Sequence, residues 1–271
     1  MKICFIILTA DTIDQHFQVE TTSSFTSDIF LFLKVFRWAL PPMVMILLQP
    51  DTGICIIIGI SILVMLACSG IRKEWFMIGI ILIGLVLVLF FYMYFFHFDF
   101  LNDLIGGDGG YKLRRITSWL NPESDISGDG MQLYTALLTL GSAGISGHGP
   151  QQMVVLIPEA QTDFIFAIIG QSFGFIGAIF VILLCLTLDL YLCHIASKTK
   201  ILSEKFMVIG IIGMLLYQQV QNIGMIIGIL PITGITLPLI SYGGSSLLSY
   251  FLAFGVIMNT SIRNLNLKDY L

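Results

Sequence analysis

The stretch Leu156-Ile157-Pro158-Glu159-Ala160-Gln161-Thr162-Asp163-Phe164-Ile165-Phe166 sets two carboxylates four residues apart at the entrance of an apolar run. Pro158 biases the residue before it toward extended backbone. An ionisable side chain at a membrane boundary that faces a cavity is a candidate functional group. Partial desolvation would make the Asp163 carboxylate a stronger base and suit it to accepting a proton from a hydroxyl. Residue type also allows a plainer role, with Thr162 or Asp163 capping the helix that follows. Type and spacing leave both open.

A second group with chemistry in it is Lys112, Arg114 and Arg115. Arginine makes bidentate contacts with phosphate oxygens, and two close together suit a pyrophosphate. A solvated or headgroup-facing basic surface is the competing reading. The third group lies in Leu230-Pro231-Ile232-Thr233-Gly234-Ile235-Thr236-Leu237-Pro238-Leu239-Ile240-Ser241-Tyr242-Gly243-Gly244-Ser245-Ser246. Prolines and paired glycines break an apolar stretch there, and broken backbone at membrane depth is tolerated only against protein or a wet cavity. Ser241, Ser245 and Ser246 could offer hydroxyls to a ligand, or serve helix packing. Gln218, Gln219, Gln221 and Asn222 read first as amides that hydrogen-bond between helices, and second as a cavity lining. The small-residue run Gly141–Gly149 permits close helix approach or positive-φ turns.

These groups need elements to hold them. The chain has 271 residues, of which 56% are hydrophobic and 11% charged, where about 25% charged is usual. The mean hydropathy is +0.93. That composition makes lipid the solvent for most of the chain and excludes disorder. A net charge of −4 with no long basic run argues against nucleic-acid binding. Five cysteines without paired spacing do not suggest a disulfide framework.

Hydropathy predicts an all-α integral membrane protein with about six transmembrane helices, at roughly 29–48, 53–69, 76–98, 163–193, 206–230 and 237–258. Residues 29–98 and 163–258 then form two sets of three spans. Tight turns such as Pro50-Asp51 make neighbouring spans antiparallel. Arg72, Lys73, Lys198, Lys200, Lys205, Arg263 and Lys268 fall on one side, which the positive-inside rule makes cytoplasmic, with 259–271 as a tail. Residues 99–162 become a large extracytoplasmic loop, within which Met131–Leu140 reads as a re-entrant or interfacial helix. Residues 1–28 fit no span and stay unassigned.

At this level of detail the chain resembles the membrane proteins of shape, elongation, division and sporulation, the FtsW/RodA/SpoVE family. The matching blocks are Leu48-Gln49-Pro50-Asp51 with Gly53, Arg115-Ile116 with Asn121-Pro122, Gly141-Ser142 with Gly144, Gly147 and Gly149, and Pro158-Glu159 with Thr162-Asp163-Phe164-Ile165-Phe166. They continue through Asn222-Ile223-Gly224-Met225 and Leu230-Pro231 with Thr233-Gly234 to Pro238 with Ser241-Tyr242-Gly243-Gly244-Ser245-Ser246. The resemblance implies a protein of the bacterial plasma membrane that polymerises peptidoglycan from lipid II alongside a class B penicillin-binding protein, a transpeptidase. It implies Asp163 as general base on the acceptor sugar hydroxyl. Lys112, Arg114 and Arg115 would hold the pyrophosphate, with Glu159, Ser241, Ser245 and Ser246 as further substrate contacts. No cofactor is called for, although a divalent cation could assist at the pyrophosphate; no metal-binding residues are expected. A lipid II flippase and a non-catalytic scaffold for the transpeptidase are the alternatives. Gln161 stands where the family usually has histidine, and Gln171-Ser172 where it has acidic residues. The six spans correspond to the C-terminal part of a roughly ten-span family, with the first four expected to be missing.

Overall fold

The structure, a computed structural model, describes residues 1–19, 24–49, 52–105, 109–126, 128, 130–150, 155, 157 and 160–269. Glu159, Pro158 and the Pro50-Asp51 turn lie outside the described residues, as do the side chains of Lys112 and Lys268. Among the described residues every regular element is helical: α1 (Lys2–Val19), α2 (Phe25–Leu47), α3 (Thr52–Cys68), α4 (Lys73–Phe96), α5 (Phe98–Ile105), α6 (Gly109–Leu120), a 3-10 turn (Pro122–Asp125), α7 (Met131–Ser142), α8 (Ile165–Lys198), α9 (Leu202–Ile226) and α10 (Gly244–Asp269).

Five helices are long and apolar enough to cross a membrane: α2, α4, α8, α9 and, over residues 244–264, α10. The sixth expected span is α3, an apolar helix of 17 residues. Environment separates them sharply. Within α9, 72% of the apolar window is buried, whereas none of α4 is. A 24-residue apolar helix with no buried side chain has no stable place in water, so α4 faces lipid. The chain is a multi-pass membrane protein built around α9, against which α3, α8 and α1 pack.

The N-terminal stretch, which hydropathy assigns to no span, folds as α1. A hydropathy window misses it because Thr9, Asp11, Thr12, Asp14 and Gln15 dilute the average. The apolar residues nevertheless repeat at helical spacing, and Ile3, Ile6, Ala10 and Ile13 are all buried. Glycine on α9 lets α1 and α3 approach closely: a Cβ at Gly210 would lie 2.7 Å from both Ile6 Cγ2 and Met65 Sδ.

Polar contacts join several of the span ends that carry basic residues. The Arg72 amide donates to Asp28 at the start of α2, 3.3 Å. The Lys200 amide donates to Asn264 on α10, 3.1 Å. Arg263 pairs with buried Glu204, 3.0 Å.

Three expected spans have different edges. The span placed at 206–230 runs from Leu202 and stops at Ile226, before Gly228 with its φ of 80°. The one placed at 237–258 begins only at Gly244, because Pro238 and the local turn hold residues 231–243 out of helix. The one placed at 163–193 extends to Lys198 and is kinked at Gly174, where φ is 64° and ψ −158°.

Among the described residues of the segment 99–162 there are three α-helices and a 3-10 turn, and α7 is the short apolar helix expected there. After α7 the chain forms a strap over the kink in α8. His148 and Gly149 amides donate to Gln171 and Ser172 carbonyls at 2.9 and 3.0 Å. Phe175 and Ile176 amides donate in return to Gly144 and Ile145 carbonyls at 3.0 and 3.2 Å. A break in an apolar helix orphans backbone groups that lipid cannot satisfy. The strap satisfies them, and Gly147 against Gly174 leaves no room for a Cβ on either.

Candidate functional site

Asp163 sits half-buried in the turn that leads into α8. Its neighbours fix the turn. Phe164 and Phe166 are 1% and 2% exposed and pack with Leu133, Met225, Ile226, Ile232 and Leu237. The N-cap position of α8 falls on Phe164, one residue after Asp163, and Phe164 has no side-chain capping group.

Four hydrogen bonds link α9, the loop after it and this turn. Asn222, on the last turn of α9, donates its amide to the Asp163 carbonyl and to the Ile235 carbonyl, each at 2.7 Å. The Tyr242 amide donates to the Gln161 carbonyl at 2.9 Å. Gln221 donates to the Pro231 carbonyl at 2.9 Å. As a result Gly234 faces the carboxylate: a Cβ there would lie 3.3 Å from Asp163 Oδ2, and its φ of 71° suits glycine.

The same loop collects the basic helix. Arg115 donates to the Ile232 carbonyl at 3.3 Å, and Trp119 on the next turn of α6 donates to the Gly228 carbonyl at 2.9 Å. Arg115 and Asp163, 48 positions apart in sequence, therefore converge on residues 232–234. Arg114 lies exposed on the same helix. Lys112 belongs to α6, with its side chain outside the described residues, and Glu159 is outside them altogether.

The serines divide. Ser241 Oγ accepts from the Leu237 amide at 2.7 Å, and Ser246 Oγ donates to the Gly243 carbonyl at 3.0 Å. Both hold their own turn. Ser245 is exposed at the head of α10.

A cavity whose lining includes Lys2, a residue not singled out from sequence, completes the site. Behind Gly234 is a polar cavity of about 190 Å³ lined by Lys2, Gly53, Gln218, Thr233 and Thr236, among others. Thr233 Oγ1 is buried there without a hydrogen-bond partner. Lys2 escapes a sequence reading that gives α1 no place; a cation heading an amphipathic helix is the available signal. Gln218 also accepts from Tyr250 at 3.4 Å. Among the described residues no group of three or more His, Cys, Asp or Glu is placed to hold a metal ion. Chemically, the arrangement offers a carboxylate at the rim of an apolar bundle, with the Arg115 guanidinium anchored to the same loop.

The profile of the FtsW/RodA/SpoVE family, described as cell cycle protein, matches residues 1–266, including the stretch 1–28 that hydropathy leaves unassigned. The chain is 36% identical over 219 residues to stage V sporulation protein E of Bacillus subtilis, covering 80% of this chain and 56% of that one. It is 33% identical over 222 residues to peptidoglycan glycosyltransferase MrdB of Escherichia coli K12, again covering 80% and 56%. The chain thus spans a little over half the length of these curated relatives. In fold it is similar to a chain from a peptidoglycan synthase complex studied for its coordination of polymerization and crosslinking. The TM-score is 0.74 at 24% identity, covering 97% of this chain and 68% of that one.

Proposed function

The chain belongs to the FtsW/RodA/SpoVE family of cell cycle proteins, and on that premise we propose that it polymerises lipid II into glycan strands in the bacterial plasma membrane. The observation that carries this reading is the convergence of Asp163 and Arg115 on one loop, at the head of a membrane helix. Glycosyl transfer needs both groups. The acceptor hydroxyl oxygen forms a bond to the anomeric carbon of a second lipid-linked sugar. The bond from that carbon to the pyrophosphate oxygen breaks, and the oxygen leaves with the electron pair. Asp163 takes the hydroxyl proton as general base. Arg114 and Arg115, with Lys112, neutralise the charge that develops on the leaving pyrophosphate. Ser245 offers an exposed hydroxyl at the same end, Glu159 lies just ahead of Asp163 in sequence, and Ser241 and Ser246 shape the turn between them.

In this reading the lysine- and arginine-bearing ends of the spans face the cytoplasm, and residues 99–162 face outward, where lipid-linked precursors are joined. A class B penicillin-binding protein is the partner that cross-links the product. Named relatives described as peptidoglycan glycosyltransferases and a structural relative from a synthase complex support this assignment.

The test is polymerisation of lipid II by the purified chain with its co-expressed transpeptidase, wild type beside Asp163→Asn. Glycan ladders from wild type alone are expected. Equal ladders from both proteins overturn the base assignment. Translocation of lipid II across vesicles without ladders would instead favour a flippase.

A further inference from the structure

We propose that Asn222 is the positioning residue of this site, the group that sets where the Asp163 carboxylate stands. The inference rests on Asp163 being the base. Asn222 is fully buried, at 0% exposure, and spends both amide protons on the backbone of the site. One goes to the Asp163 carbonyl and the other to the Ile235 carbonyl, next to the glycine that faces Asp163 Oδ2. Asn222 thus bridges the Asp163 and Ile235 carbonyls, and Gly234, next to Ile235, borders the Asp163 carboxylate closely enough that a Cβ there would lie 3.3 Å from Oδ2. The first turn of α8 closes on the Phe164 carbonyl, which receives both the Ala167 and Ile168 amides at 3.0 and 3.4 Å. The Asp163 carbonyl, one residue earlier, receives the Asn222 amide.

Asn222 Oδ1 is buried with no partner. The side chain is therefore held by its donors alone, and a residue of the same shape with only acceptors cannot replace it. Aspartate would turn a carboxylate oxygen toward two carbonyl oxygens that now sit at donor distance.

A second amide on α9 works with the first. Gln219, one turn earlier, donates to buried Asp189 on the far part of α8 at 3.3 Å. A straight helix from Ile165 to Asp189 would span about 36 Å, more than two amides one turn apart can reach. The kink at Gly174 is what lets both grips close. Of the two amides, only Asn222 touches the backbone of Asp163 itself, so a change there acts first on where the carboxylate stands.

The experiment compares kcat and KM for lipid II polymerisation by the full chain with its transpeptidase, using wild type, Asn222→Asp, Asn222→Ser, Asp163→Asn and Asn264→Ala. Each is normalised to folded protein from thermal unfolding in detergent. Asn264 is the control: a buried amide with three bonds on α10, beside the Thr199-Lys200 turn that precedes α9. Asn222→Asp is expected to lower kcat about 10²-fold with KM within about twofold, the signature of a misplaced group. Asn222→Ser keeps one donor and is expected to fall between, which preserves the test if the aspartate variant does not fold. Asn264→Ala is expected to lower the melting temperature and keep kcat. Wild-type kcat in both Asn222 variants beside an inactive Asp163→Asn overturns the proposal, as does an equal kcat loss in Asn264→Ala. An active Asp163→Asn overturns the reading beneath it instead.

Discussion

The strap over α8 can be tested with three alanine substitutions that differ in backbone conformation and in what the added methyl meets. Gly141 lies in the last turn of α7, where a methyl would meet nothing within 4 Å. Gly149 has a φ of 94° but equally open space. Gly147 has a φ of 73°, and its Cβ would lie 2.5 Å from Gly174 N, Ser172 C and Ser172 O. A left-handed backbone costs an alanine about 1–2 kcal/mol, and overfilling a packed contact costs about 1–3 kcal/mol. Alanine recovers roughly 0.5 kcal/mol by stiffening the unfolded chain. Gly149→Ala should therefore lose about 1 kcal/mol and Gly147→Ala about 2–4 kcal/mol. Gly141→Ala should gain up to about 1 kcal/mol, the helix preference of alanine over glycine. Thermal unfolding in detergent, followed by tryptophan fluorescence, reads these as shifts of about 2–4 °C per kcal/mol. The overlap falls on the backbone that pairs with the strap, so hydrogen exchange at Phe175 and Ile176 should quicken in Gly147→Ala and stay slow in Gly149→Ala. Equal losses in the two variants would refute the reasoning, because backbone conformation alone would then account for both, and the fit of strap against kink would contribute nothing.

Two further outcomes follow from packing and charge. Phe164→Ala removes a ring that is 1% exposed beside Asp163; a loss of about 3–5 kcal/mol is expected, with polymerisation falling alongside, and unchanged melting would refute the anchoring role. Arg263→Ala leaves Glu204, 7% exposed as a residue, without the guanidinium at 3.0 Å. Because the arginine side chain is 62% exposed, screening reduces the effect to about 1 kcal/mol, and Arg263→Ala with Glu204→Gln should recover part of it in a double-mutant comparison of melting temperatures.

Much of the fold is legible in the sequence because lipid imposes a simple rule. Long apolar runs must be helices, and α2, α4, α8, α9 and α10 announce themselves on that ground. The α1 helix does not, since burial of one face against α9 needs only a few apolar positions and leaves the average hydropathy low. The kink at Gly174 is equally hidden: glycine inside an apolar run is common in membrane helices, and only the strap opposite makes this one a break. For the candidate site, the types of residue point to Asp163, Arg114 and Arg115 from the start. Their nearness does not follow, because 48 positions separate Arg115 from Asp163 and the link runs through carbonyls of a third segment. Asn222 reads first as an inter-helix amide, but both its bonds go to carbonyls outside the helices, of Asp163 in the turn before α8 and of Ile235 in the loop after α9, and which carbonyls it holds depends on how α9 ends.

The amino-acid sequence by itself determined the solvent, the helical class, the charge asymmetry of the span ends and the chemical menu of the site. Those depend on composition and local spacing, which a chain carries before it folds. The tertiary structure alone decided that α9 lies at the centre, that α1 walls the polar cavity, and that Asp163, Asn222, Gly234 and Arg115 share one loop. Those are relations between segments distant in sequence, and only packing fixes the distances through which their hydrogen bonds act.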